Sequence, residues 1–140
     1  MTDEEKLALA AAYRDATAAN DTEALRAIHE PDALTWHNLD GLSASVDDST
    51  RSLAWLHGRV PDLRLEDVRA SPTVDGFVLR WTMAGSAPGG ALRLHSCLVV
   101  DISPAGKVAR AAEYLDSAQV AVLRSGQAEG RPEAVDEVRP

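Results

Sequence analysis

At 140 residues the chain has the size of one domain and can bury a substantial core. Hydrophobic residues make up 45% and charged residues 26%, the balance of an ordinary soluble globule, and a net charge of −8 disfavours nucleic acid and anionic lipid as partners. No apolar run approaches the ~20 residues of a membrane span, the acidic start MTDEEKLALA lacks the basic segment of a secretory signal, and the single cysteine, Cys97, allows no internal disulfide; a cytoplasmic protein is expected.

Residues Asp3 to Ala19 carry Leu7, Ala10, Ala11 and Arg14 at helical spacing behind Thr2 or Asp3 as cap, which predicts a first helix broken by Asn20-Asp21. A short second helix is expected from Thr22 to about His29, stopped by Pro31. Ala33 to His37 predicts a strand. Asp47 opens a third helix, DDSTRSLAWLHGRV, with Leu53, Leu56 and Val60 on one face and Pro61-Asp62 at its end. The stretches LRLEDVRASPTV, GFVLRWTMAGS, ALRLHSCLVVDI and KVARAAEYLD alternate or run apolar, and DG, APGG and SPAG between them are turn signals, so an antiparallel meander is expected. SAQVAVLR predicts a last helix. The remaining SGQAEGRPEAVDEVRP, residues 125–140, is rich in Gly, Pro and Glu and is expected to be a flexible tail beyond a folded domain of residues 1–124. The fold class is α+β: three N-terminal helices packed on a strongly curved, mostly antiparallel sheet, a cone-shaped α+β barrel with a C-terminal helix and an apolar pocket open at one end.

Proton-transfer chemistry has its best candidate in TWHNLDG, residues 35–41. An imidazole ordinarily titrates near ~6.5, so His37 suits a general base; the alternative is a strand-end histidine bonded to backbone. Asn38 can donate its amide to a developing oxyanion or, like Asp40, serve the turn before Gly41. In a regular strand Thr35 and His37 share a face while Trp36 and Asn38 turn away, so His37 and Asn38 cooperate only where strand geometry ends between them. On the last strand Ala111, Glu113 and Leu115 share what is expected to be the pocket face, and Glu113 needs a partner there. Arg80, which shares a face with Val78, Thr82 and Ala84, is the expected one, through a catalytic or a purely structural ion pair. Tyr13 offers a phenol to a carbonyl oxygen, or packs as a helix aromatic. The ligand wall is expected from Arg80, Trp36, Trp55, Leu98, Ala111 and Leu115. Trp81 is assigned to the core or a dimer face, and His95 alternates outward. His29 and His57 close helices, where the dipole favours them. No metal-ligand spacing, phosphate loop, nucleophile elbow or dinucleotide fingerprint occurs, so no metal or cofactor is expected.

The element order, with NDTEALRAIHEPDALTWHN, VPDLRLEDV, VLRWTMAGS and GKVARAAEYLD at these places, resembles the nuclear transport factor 2-like superfamily, and within it the SnoaL-like branch of polyketide cyclases, from about Tyr13 to Leu123. The resemblance implies the cone fold and a choice among several chemistries. Ketosteroid isomerases of this fold keep a tyrosine on the first helix, which Tyr13 matches, and a base at the end of the first strand, where His37 falls; Leu98 stands where their second acid belongs. Limonene-type epoxide hydrolases keep an Arg and an Asp two apart on one strand, matched by Arg80 but with Thr82 in place of the acid. Glu113 matches their last acid, and Asn38 lies near their asparagine. SnoaL-type cyclases pair a histidine with an acid, a role open here to His37 or His95 with Glu113 or Asp116.

Two readings follow. The first is a cofactor-independent acid–base enzyme, a cyclase or isomerase or else an epoxide hydrolase, acting on a small apolar carbonyl or polyketide-like molecule through His37, Tyr13, Asn38 and Glu113. The second is a non-catalytic binding module with the same pocket. A homodimer is expected through the outer sheet face, with Trp81, Met83 and His95 on it.

Overall fold

The computed structural model describes residues 1–124; the tail expected at 125–140 lies outside the described residues. Helix α1 (Asp3–Ala19) opens on a reciprocal cap: Thr2 Oγ1 accepts from the Glu5 amide at 3.1 Å, and the Glu5 carboxylate accepts from the Thr2 amide at 3.2 Å. It ends at Asn20, whose φ of 55° is the left-handed conformation that asparagine tolerates. Asp21 then caps α2 (Thr22–Ile28) through the Ala24 amide.

The first strand is longer than expected. β1 runs His29–His37, so the second helix stops before His29 and Pro31 lies inside a strand. Its register against β6 shifts between His29 and Leu34, and a proline is tolerated in such an irregular stretch because it breaks no regular ladder. A three-residue edge strand, β2 (Ser43–Ser45), pairs antiparallel with β1; it is too short and polar to show alternation. Ser45 caps α3 (Val46–Arg59) through the Asp48 amide.

The meander is present as β3 (Arg64–Pro72), β4 (Gly76–Ala87), β5 (Gly90–Ile102) and β6 (Val108–Leu115), followed by α4 (Ser117–Arg124). Among the described residues, six strands lie in the order β2-β1-β6-β5-β4-β3, with β1 parallel to β6 and the other pairs antiparallel. The sheet is curved and unclosed, and helices α1 to α4 complete a mixed α+β structure among the described residues. At the β4–β5 pairing Gly76 admits the closest approach, because a Cβ there would collide with the Val100 backbone.

Rungs across the inner face set the site. Leu79, Leu98, Glu113 and His37 align across β4, β5, β6 and β1, and Phe77, Val100, Ala111 and Thr35 form the next rung. Phe77, Leu79, Leu92, Leu94, Leu98, Val100 and Val108 are the fully buried centre of the core. Among the described residues no helix is long and apolar enough to cross a membrane.

Candidate active site

A cavity of about 120 Å³ lies between the inner face of the sheet and the helices, with Leu25, Leu56, Met83, Leu94, Leu98 and Leu123 among its apolar wall. A single water needs roughly 10–15 Å³ measured this way, so the space holds a small organic molecule. Tyr13 enters it from α1, His29, Thr35 and His37 from β1, Trp55 from α3, Trp81 from β4, and Glu113 and Leu115 from β6.

His37 and Glu113 meet there. His37 Nε2 lies 3.1 Å from Glu113 Oε1, with only 6% and 14% of the two side chains exposed. The contact sets the imidazole directly against the carboxylate on the cavity wall. Glu113 Oε2 accepts a hydrogen bond from Ser96 Oγ at 2.8 Å. The backbone fixes His37 as firmly. Its amide donates to Leu42, its carbonyl accepts from Gly41 at φ 71°, and the next amide, of Asn38, donates to the Glu113 carbonyl.

Tyr13 lines the same cavity. Burial pushes its phenol well above the usual tyrosine range, and the charge of Glu113 pushes it in the same direction. The hydroxyl therefore stays protonated and is available as a donor to an oxyanion. The Tyr13 ring lies 5.4 Å from the His29 ring and 6.2 Å from that of Trp81, so the three form one aromatic wall. Four lining residues keep a buried polar atom with no hydrogen-bond partner among the described residues: His37 Nδ1, Ser49 Oγ, Ser52 Oγ and Trp81 Nε1. Buried polar groups are rarely left so, and their concentration around one cavity fits a site that a ligand completes.

Several expectations need correction. Arg80 does not reach Glu113; it is exposed on the outer face, opposite Cys97 across the β4–β5 ladder. Trp81 and Met83, expected on that outer face, line the cavity instead. Alternation groups Val78 with Arg80 and Trp81 with Met83, but it does not say which group faces inward. Asn38 is exposed, and its side-chain amide is spent on Leu115, donating to that carbonyl at 3.2 Å and accepting from that amide at 2.8 Å. Trp36 leaves the cavity and packs on Tyr114 at 5.6 Å between ring centroids. Ala111 is in the core rather than on the cavity wall, whereas Trp55, Leu98 and Leu115 line it. His95 is exposed and bonds Thr82 through Nδ1 at 2.9 Å.

Ser96 and His29 were not among the expected site residues. Ser96 had a legible signal, as the one polar member of the inward row Leu92, Leu94, Ser96, Leu98, Val100. His29 had none, because local signals make it helix-terminal, whereas β1 begins there. Among the described residues no cluster of His, Cys, Asp and Glu could hold a metal ion.

A cavity walled by helices and the inner face of an open, curved sheet places the protein in the nuclear transport factor 2-like fold. Within that fold the chain belongs to the SnoaL-like domain family, whose profile matches residues 10–111. No curated protein sequence matches it. Among solved structures it is similar to BvnE pinacolase from Penicillium brevicompactum (TM-score 0.76, 13% identity, 89% of this chain and 92% of that one). It is also similar to AclR, a candidate hydroxylase from Streptomyces galilaeus (TM-score 0.75, 20% identity, 97% and 90%). A third is PrhC from Penicillium brasilianum (TM-score 0.74, 14% identity, 99% and 98%). At these identities the likeness speaks for the fold alone.

Proposed function

We propose that this protein is a cofactor-independent acid–base enzyme of the cyclase or isomerase type, acting on a small apolar carbonyl compound. The observation that carries the reading is the His37 Nε2–Glu113 Oε1 contact of 3.1 Å on the wall of an apolar cavity. In this reading Tyr13 donates to the substrate carbonyl oxygen. The His37–Glu113 pair removes a proton from the adjacent carbon, and the carboxylate stabilises the imidazolium that results. Ser96 holds the carboxylate in place. Return of the proton at another carbon completes an isomerisation; attack of the enolate carbon on a second carbonyl closes a ring. An epoxide-hydrolase reading lacks support, since it needs Arg80 at the site and Arg80 is exposed on the far side of the sheet. The test is exchange of the α-protons of a panel of apolar ketones and esters in deuterated water, followed by NMR. General-base catalysis contributes ~10²–10⁴-fold, so His37→Ala is expected to lose at least about a hundredfold while its melting curve stays cooperative. Exchange at near wild-type rates in that variant would sink the reading.

The protein in this reading is a cytoplasmic homodimer. The outer face supplies the support: Leu34, Val99 and Tyr114 are exposed, and Trp36 and Cys97 are partly so, on adjacent strands. Such a contiguous apolar patch calls for cover.

A further inference from the structure

We propose that His29 is a specificity-determining residue of the cavity: fixed in one tautomer by the Leu25 carbonyl, it turns a lone pair on Nε2 to the ligand and accepts a hydrogen bond from a ligand hydroxyl. The inference rests on reading the cavity as the substrate site. The Leu25 carbonyl oxygen lies 2.6 Å from Nδ1 and can only accept, so the ring proton sits on Nδ1 and the lone pair on Nε2. Nε2 has no hydrogen bond among the described residues and is not one of the fully buried polar atoms left without a partner, so it keeps some access. The ring itself lines the cavity. Burial also holds this imidazole below its usual range, against the opposing pull of the Leu25 bond, which keeps it an acceptor at neutral pH.

The placement separates this subsite from the reacting end. His29 pairs with Val108 and His37 with Glu113, five residues further along β6, or roughly 16 Å at ~3.3 Å per residue. Tyr13 lines the same cavity, in contact with the His29 ring and influenced by the Glu113 charge. A ligand whose carbonyl meets Tyr13 and the His37–Glu113 pair thus has the His29 acceptor at a distance from its reacting carbon. An apolar molecule with a remote hydroxyl satisfies that lone pair, and one with a methyl group in its place leaves it unpaired.

The experiment titrates the full chain, labelled with ¹⁵N-histidine, with p-cresol and with its methyl counterpart p-xylene. The spectrum should show His29 protonated at Nδ1 only, and p-cresol but not p-xylene should shift its Nε2 resonance. Wild type should bind p-cresol several-fold to about tenfold more tightly, the range one net hydrogen bond supplies. His29→Phe should erase the preference while still binding p-xylene. Protonation at Nε2, equal or absent binding of the two probes to wild type, or a preference that survives His29→Phe would each overturn the proposal. Should that variant fail to fold, the wild-type resonances decide alone. Because binding is read and not turnover, a preference that persists in an enzyme without exchange activity would count against the catalytic reading only.

Discussion

Between His37 and Asn38 the side chains part to opposite faces of β1, and their substitutions should part in the same way. Asn38 makes two hydrogen bonds to the Leu115 backbone and ties the end of β1 to β6. Asn38→Ala is therefore expected to lower stability by about 1–3 kcal/mol in urea unfolding, at ~0.5–1.5 kcal/mol per bond, and to leave the exchange rate within a few-fold of wild type. Ser96→Ala should do the reverse. It removes a bond to Glu113 Oε2 without touching the cavity's shape, so kcat is expected to fall roughly tenfold with KM little changed. A Ser96→Ala enzyme with unaltered kcat would show that Glu113 needs no such support. Alternation separated Asn38 from His37 in the sequence, and the bond from the Asn38 amide to the Glu113 carbonyl is what carries the pairing with β6 one residue past the end of β1.

At the scale of elements, the inner and outer faces of the sheet have different tasks. The outer patch around Trp36, Val99 and Tyr114 is expected to be the dimer contact, so Val99→Asp should convert a dimer to a monomer in sedimentation at micromolar concentration, with helix content unchanged. A wild-type monomer under those conditions would remove the basis for the interface. At the β4–β5 pairing the constraint is steric. Gly76→Ala drives a Cβ into the Val100 backbone and is expected to cost about 1–3 kcal/mol, measured as a lower urea midpoint. The helices show how local signals settle an element: Thr2 and Glu5 cap α1, Asp21 caps α2, and Ser45 caps α3. The limits of local signals show at Pro31, which sequence reasoning treats as a helix stop and which the parallel pairing of β1 with β6 accommodates in a shifted register.

For the whole molecule, two cavity residues link folding to pH. His29 is held below its usual range by burial, so from about pH 6.5 downward the unfolded chain binds a proton that the native state refuses, and stability falls as pH falls. Tyr13 is held above its usual range, so above about pH 10 the unfolded chain releases a proton that the native state keeps, and stability falls as pH rises. Melting temperature against pH should show both limbs, with His29→Phe flattening the acid one and Tyr13→Phe the alkaline one; an unchanged acid limb in His29→Phe would place its origin elsewhere. The sequence by itself determined the helices with their caps, the meander from alternation and turn residues, and the pairing of Thr35 with His37 and of Glu113 with Leu115 on common faces, because these follow from periods of 3.6 and 2 along a local stretch. Which face becomes the cavity was decided only by the tertiary structure. That choice sent Arg80 outward and Trp81 inward, chose Glu113 over Asp116 as the partner of His37, and brought in Ser96 and His29. It depends on how helices and strands distant in sequence cover the sheet, and no local period carries that information.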